Sequence, residues 1–130
     1  MSNGKLVLTP FEKALETLEA IILLPKDEIV RDATIQRFEY TYELAWKMIK
    51  RHLDWEGHPD TSSLSKREIF REAANAKLIA DPDVWFGYHQ ARNETSHTYE
   101  LTAAEEVYEA AVKFTPDARA LLTELKRHHG

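Results

Sequence analysis

Arg92-Asn93-Glu94-Thr95-Ser96-His97-Thr98-Tyr99 gathers an arginine, an amide, an imidazole and a phenol within eight residues. An imidazole with an ordinary pKa of about 6.5 exchanges a proton near neutral pH, and a guanidinium grips two anionic oxygens at once. Side by side they suit proton transfer at an anionic ester. The remaining histidines, at positions 52, 58, 89, 128 and 129, are scattered without a metal-ligand pattern. The terminal His128-His129-Gly130 reads equally as a frayed or appended end and as a metal site.

A helix through this stretch advances about 100° per residue, which puts Trp85, Tyr88, Arg92, Ser96 and Tyr99 on one stripe and Phe86, Asn93 and His97 on the next. An arginine among aromatics must keep its charge paired or solvated, because burying it alone costs several kcal/mol. The opposite strip, Val84, Gly87, Ala91, Thr95 and Thr98, consists of small side chains. Two arrangements follow. Either the small strip faces inward and the Trp85/Arg92/His97/Tyr99 side lines a cleft or subunit interface, or Trp85 and Tyr88 are core and Arg92 forms an ion pair with Glu39 or Glu43.

The elements that must position these groups are helical. Thr9-Pro10-Phe11-Glu12 has the form of an N-cap, a first-turn proline and a capping-box glutamate, followed by Phe11, Leu15, Leu18 and Ile22 at helical spacing and closed by Pro25. The longest pattern runs from about Glu28 to Trp55, with Ile35, Phe38, Tyr42, Ala45, Ile49 and Leu53 on one face, ended by Gly57 and Pro59. Glu39 and Glu43 stand one turn apart beside that face, with Trp46 next to it. Such a glutamate pair can serve acid-base work, but its ordinary meaning is a solvated face or a partner contact.

Ser65-Lys66-Arg67-Glu68 repeats the capping-box form and opens a helix with Ile69, Phe70, Ala73, Leu78 and Ile79 inward, and Lys66, Arg67 and Arg71 give it a basic surface able to meet phosphate. Asp81 and Pro82 read as N-cap and first helical residue of the next helix. Asp81-Pro82-Asp83 is therefore not the magnesium-binding pair of a nucleotidyltransferase, since no Gly-Ser phosphate turn precedes it. Thr102-Ala103-Ala104-Glu105 is placed to cap a last helix through Val107, Tyr108, Ala111 and Phe114 to Leu125, kinked or split at Pro116. Five helical segments without a convincing strand imply an all-α, up-and-down bundle of four or five helices.

Composition sets limits on function. A chain of 130 residues corresponds to a single domain spanning 1–130. The absence of cysteine removes disulfide scaffolds, thiolate zinc sites and cysteine nucleophiles, and points to the cytoplasm. The polar N-terminal segment Met1 to Leu8 lacks the apolar core of a signal peptide, and no apolar run approaches a membrane span. A net charge of −5 opposes indiscriminate coating of nucleic acid while leaving room for a local basic site.

Arg92, four residues, His97, one residue and Tyr99 resemble the R-x4-H-x-Y motif of the HEPN superfamily in its HepT-like branch. Arg37-Phe38-Glu39-Tyr40-Thr41-Tyr42-Glu43-Leu44-Ala45-Trp46-Lys47, and Asp81-Pro82-Asp83-Val84-Trp85-Phe86 leading into Arg92-Asn93, are similar to segments of the nucleotidyltransferase substrate-binding proteins. The similarity runs in order from about Phe11 to Leu125. It implies a homodimer joined through the motif-helix face and a separate small nucleotidyltransferase as partner in a two-component, toxin-antitoxin type system. It also implies a metal-independent endoribonuclease without cofactor, in which Arg92 stabilises phosphorane charge, His97 acts as acid or base, and Asn93 orients the imidazole. Tyr99 becomes the residue that the nucleotidyltransferase adenylylates, so that attached AMP silences the toxin by repelling RNA phosphate. Glu39, Glu43, Trp46, Trp85 and Tyr88 are candidate partner or substrate contacts. The alternative is a non-catalytic substrate-binding subunit that completes the nucleotidyltransferase active site, with Arg92 and His97 positioning a nucleotide.

Overall fold

The structure, a computed structural model, describes residues 4–130; Met1, Ser2 and Asn3 of the polar N-terminal segment lie outside the described residues. The chain forms five α-helices: α1 (Thr9–Ile21), α2 (Glu28–Trp55), α3 (Lys66–Asn75), α4 (Pro82–Asn93) and α5 (Leu101–His129). Short 3-10 turns occupy Thr61–Ser63 and Glu94–His97, and there is no strand among the described residues. The helices make an up-and-down bundle in which α2 touches each of the other four and α5 packs on α1, α2 and α4.

Local chemistry explains most boundaries. Asp27 caps α2, its carboxylate accepting the Val30 N–H at 2.7 Å. Ser65 and Glu68 close a reciprocal capping box on α3. Asp81 caps α4 through the N–H groups of Asp83 and Val84, with Pro82 in the first turn. Helix α3 ends as a Schellman motif: Lys77 takes a φ of 63°, Lys77 N–H reaches the Ala74 carbonyl and Leu78 N–H the Ala73 carbonyl.

Two helix starts differ from the sequence reading. Thr9 lies inside α1 and Leu8 is the N-cap without a side-chain bond, because the Glu12 carboxylate is drawn 2.7 Å from Lys126 on α5 instead of back to the helix start. Helix α5 begins at Leu101 with Glu100 as an N-cap lacking a side-chain bond, so Thr102 does not cap it. Pro116 does not split α5, which runs unbroken to His129. Thr115, just before the proline, donates its hydroxyl to the Ala111 carbonyl one turn back at 2.8 Å.

The core is built around Phe114, whose ring meets Phe38 at 5.2 Å, Tyr88 at 5.2 Å, Trp85 at 5.5 Å and Tyr42 at 6.2 Å, in edge-on geometries. Trp85 and Tyr88, 2% and 6% exposed, therefore face the core and not a partner or substrate. The small strip of α4 points the other way: Val84 and Gly87 are exposed, and a side chain at Gly87 would meet nothing within 4 Å. Burying two large aromatic rings gains far more apolar area than burying Val84, Gly87 and Ala91, and this decides which face turns inward.

The far end of the bundle carries a histidine chain. His129 is buried and ordered in α5, not frayed, with Nε2 2.9 Å from His52 Nδ1 on α2. Its Nδ1 accepts the Leu6 backbone N–H at 3.1 Å. That bond fixes the neutral tautomers: His129 carries its proton on Nε2 and donates to His52 Nδ1, leaving the His52 Nε2–H facing Glu56 at 3.4 Å. Burial depresses the pKa of both histidines, reinforced by His128 in each case and by His52 and Lys5 at His129, and opposed by Glu56. Among the described residues, no group of three or more His, Cys, Asp or Glu side chains is arranged to hold a metal ion.

Candidate functional site

The motif does not lie on one continuous helix. Helix α4 stops at Asn93 and the chain tightens into the Glu94–His97 3-10 turn. The cause is a run of hydroxyls bonding carbonyls three residues back: Thr95 to Arg92 at 2.7 Å, Ser96 to Asn93 at 3.4 Å and Thr98 to Thr95 at 3.2 Å. His97 and Tyr99 are consequently displaced from the stripes that an unbroken helix assigns them. Both are exposed, Tyr99 to 81%, with their ring centroids 6.4 Å apart.

Arg92 is held from α2. Its Nε lies 2.8 Å from a Glu43 carboxylate oxygen and one Nη 3.9 Å from Glu39. The Nε atom is shielded from solvent but makes no well-aligned hydrogen bond, so charge and not a directed bond holds the pair. Thr95 stands between the same groups, its hydroxyl 3.2 Å from Glu39 and able to give its one proton either there or to the Arg92 carbonyl. The guanidinium is thereby fixed at the end of α4 while remaining about one-third exposed, a posture that leaves it open to an incoming anion. Asn93 is exposed beside it and makes no hydrogen bond to His97 among the described residues.

A second layer extends the site along α2, α3 and α4. Lys66 Nζ sits 3.8 Å above the Trp46 ring and the Arg67 guanidinium 3.9 Å above Phe86. His89, one turn before Arg92, has Nδ1 3.1 Å from the hydroxyl of the fully buried Tyr42. Burial raises the Tyr42 pKa, so the phenol keeps its proton, and because His89 Nδ1 is the one hydrogen-bond partner of this fully buried hydroxyl among the described residues, donating to it avoids a buried unpaired O–H. Neutral His89 then carries its own proton on Nε2. Burial also lowers the His89 pKa, as do Lys66 and Arg92, while Glu43 opposes them. Lys66 is likewise depressed by burial, with Glu43 favouring its charge and Arg92 opposing it.

The candidate residues thus fall into distinct places. Arg92, Glu39 and Glu43 come together as an ion-paired group, and Trp46 lies on the adjoining face beneath Lys66. His97 and Tyr99 stand together on the neighbouring turn, whereas Trp85 and Tyr88 belong to the core. His89 and Tyr42 were not singled out from the sequence. Their signal was the spacing His89-x-x-Arg92, which places the imidazole and the guanidinium on one helix face.

The helical bundle has known counterparts. The family of nucleotidyltransferase substrate binding protein like chains matches residues 6–127, and the protein belongs to that family. It is 33% identical to a probable ribonuclease HepT of Haemophilus influenzae, over an alignment covering 99% of this chain and 98% of that protein. It also superposes on a Haemophilus influenzae structure described as revealing the fold of a substrate binding domain of a nucleotidyltransferase, with a TM-score of 0.84, 30% identity and coverage of 92% and 99% of the two chains. A crystal structure from Thermus thermophilus matches with a TM-score of 0.77 at 30% identity, over 88% of this chain and 98% of the other. Among the described residues, no helix is long and apolar enough to cross a membrane.

Proposed function

We propose that this protein is the HepT-like partner of a separate small nucleotidyltransferase, in a toxin-antitoxin type pair in the cytoplasm, and that it cuts RNA without a metal. The observation that carries the reading is the pairing of an anchored, part-exposed Arg92 with an exposed His97 one 3-10 turn away. His97 removes the proton of a ribose 2′-hydroxyl or returns one to the leaving oxygen, and Arg92 holds the charge that develops on the phosphorus oxygens. Asn93 orients the imidazole once a second copy completes the site. The homodimer forms through the exposed face of α4, where Val84 and Gly87 leave room for close approach.

Tyr99, at 81% exposure, is open to modification. Adenylylation there by the nucleotidyltransferase places a phosphodiester and a base beside His97, repelling RNA and filling the space it needs. A second reading is favoured by the engagement of Arg92 with Glu43: a guanidinium already neutralised can serve a substrate-binding subunit that completes the nucleotidyltransferase site and positions a nucleotide. The test is purified protein incubated with single-stranded RNA in excess chelator. Cleavage by the wild type, lost in Arg92→Ala and His97→Ala and in protein carrying AMP on Tyr99, supports the nuclease. Intact RNA, with the same substitutions weakening nucleotide binding in the complex, supports the second reading.

A further inference from the structure

Lys66 differs from the other cations that hold this bundle together. Lys26 and Arg31 reach Glu105, Arg119 reaches Glu19 and Lys126 reaches Glu12. Lys66 rests on the Trp46 ring, and the carboxylate that bears on it, Glu43, is already engaged by Arg92. Among the described residues it is a part-buried ammonium that forms no ion pair of its own. Beside it, His89 gives its Nδ1 to the Tyr42 hydroxyl, so its Nε2–H is left to donate. Tyr42, Glu43 and Trp46 lie within about one turn of α2 and carry His89, Arg92 and Lys66 respectively, which gathers these groups across α2, α3 and α4.

We infer that Lys66 and His89 form a phosphate subsite beside Arg92 that holds the RNA backbone at a phosphate other than the one at which His97 acts. The inference deepens the ribonuclease reading and takes its ligand from it. Trp46 is the prop that fixes the ammonium, so the cation is in place before RNA arrives and little side-chain freedom is lost on binding. A neutral imidazole beside it adds a directed hydrogen bond without adding charge. Lys66 and His89 are therefore binding residues: they raise affinity and set where along the strand the cut falls.

The experiment measures binding of a fluorescent single-stranded oligoribonucleotide to full-length His97→Ala protein over a range of salt, with Lys66→Gln, Lys66→Arg, His89→Ala and, as control, Lys13→Gln added to that background. One phosphate contact to a single strand contributes about 0.7 to the slope of log affinity against log salt, and so about fivefold in affinity at 0.1 M salt. Lys66→Gln is expected to lose that slope and that affinity, Lys66→Arg to keep the slope, His89→Ala to weaken binding without changing it, and Lys13→Gln to match the parent. Lys66→Gln with unchanged slope and affinity overturns the inference, as does failure of the parent to bind. Displacement of the RNA by an equal concentration of AMP would assign the subsite to a transferred nucleotide and overturn it too. Lys66-dependent RNA binding by a protein whose wild type cuts nothing would sink the nuclease reading and leave the subsite standing.

Discussion

Lowering the pH from 7.5 to 5.5 should destabilise this bundle through the His52–His129 chain. In the folded protein both histidines have depressed pKa values, because they are buried and lie near His128, with His52 and Lys5 also acting on His129 and Glu56 the opposing charge. The sign follows directly. An unfolded histidine takes up a proton as the pH falls through about 6.5 while the folded one resists, so the stabilisation is fully present above that value and is lost below it. At pH 5.5 each histidine wholly withheld from protonation lowers stability by about 1.4 kcal/mol, giving an upper limit of about 3 kcal/mol for the pair. Geometry supplies the reason for resistance: a proton added anywhere on the pair breaks either the 2.9 Å bond between the rings or the bond from the Leu6 N–H.

The assay is urea unfolding at pH 7.5, 6.5 and 5.5, with wild type beside His129→Gln. Glutamine can accept the Leu6 N–H and donate to His52, so the variant keeps the hydrogen bonds and loses one titrating group. It should lose only the share of His129, keeping those of His52 and of His89, whose pKa burial also lowers, and so show about two-thirds of the wild-type pH dependence. Carboxylates with lowered pKa, such as Glu12, Glu68 and Glu105, lose their contribution only as the pH falls below the usual carboxylate range and do not enter this window. Wild-type stability that is flat or rises toward pH 5.5, or a His129→Gln variant with the full wild-type slope, would refute the reasoning.

Other substitutions test the placement of single residues. Trp85→Ala should cost about 3–5 kcal/mol in urea unfolding, because the ring is buried against Phe70, Tyr88 and Phe114; a loss under about 1 kcal/mol would return it to the surface. Ser65→Ala removes one half of the α3 capping box and should cost about 1 kcal/mol, measured the same way. Glu43→Gln should lower stability by less than about 1 kcal/mol, since the pair with Arg92 is about one-third exposed, and a double-mutant cycle with Arg92→Ala should give a coupling of the same size.

Much of this fold is legible in the chain, because the signals for α2, α3 and the start of α4 are local. Asp27, Ser65 and Asp81 are short acceptors placed where helix N–H groups are unpaired, and apolar spacing from Ile35 to Leu53 names a buried face correctly. The starts of α1 and α5 were less legible, since Glu12 had a long-range partner in Lys126 that no local pattern reveals. The motif helix misleads in two ways. A helical wheel gives the relative phase of Trp85 and Gly87 but not which of them faces the core, a question settled only by Phe70 and Phe114 from other helices. Its end at Asn93 depends on Thr95, Ser96 and Thr98 turning their hydroxyls back on the chain, and this moved His97 and Tyr99 off the expected stripes. The ion pair of Arg92 with Glu43, by contrast, was one of the two arrangements the residues allowed.

The most direct test of the central claim is induced expression of the chain without the proposed nucleotidyltransferase partner, beside Arg92→Ala and His97→Ala, with growth and total RNA followed together. The account requires growth arrest and fragmented RNA from the wild type, and normal growth with intact RNA from both variants at equal protein levels. Normal growth and intact RNA from abundant, folded wild-type protein would contradict it and leave Arg92 and His97 as nucleotide- or partner-binding groups.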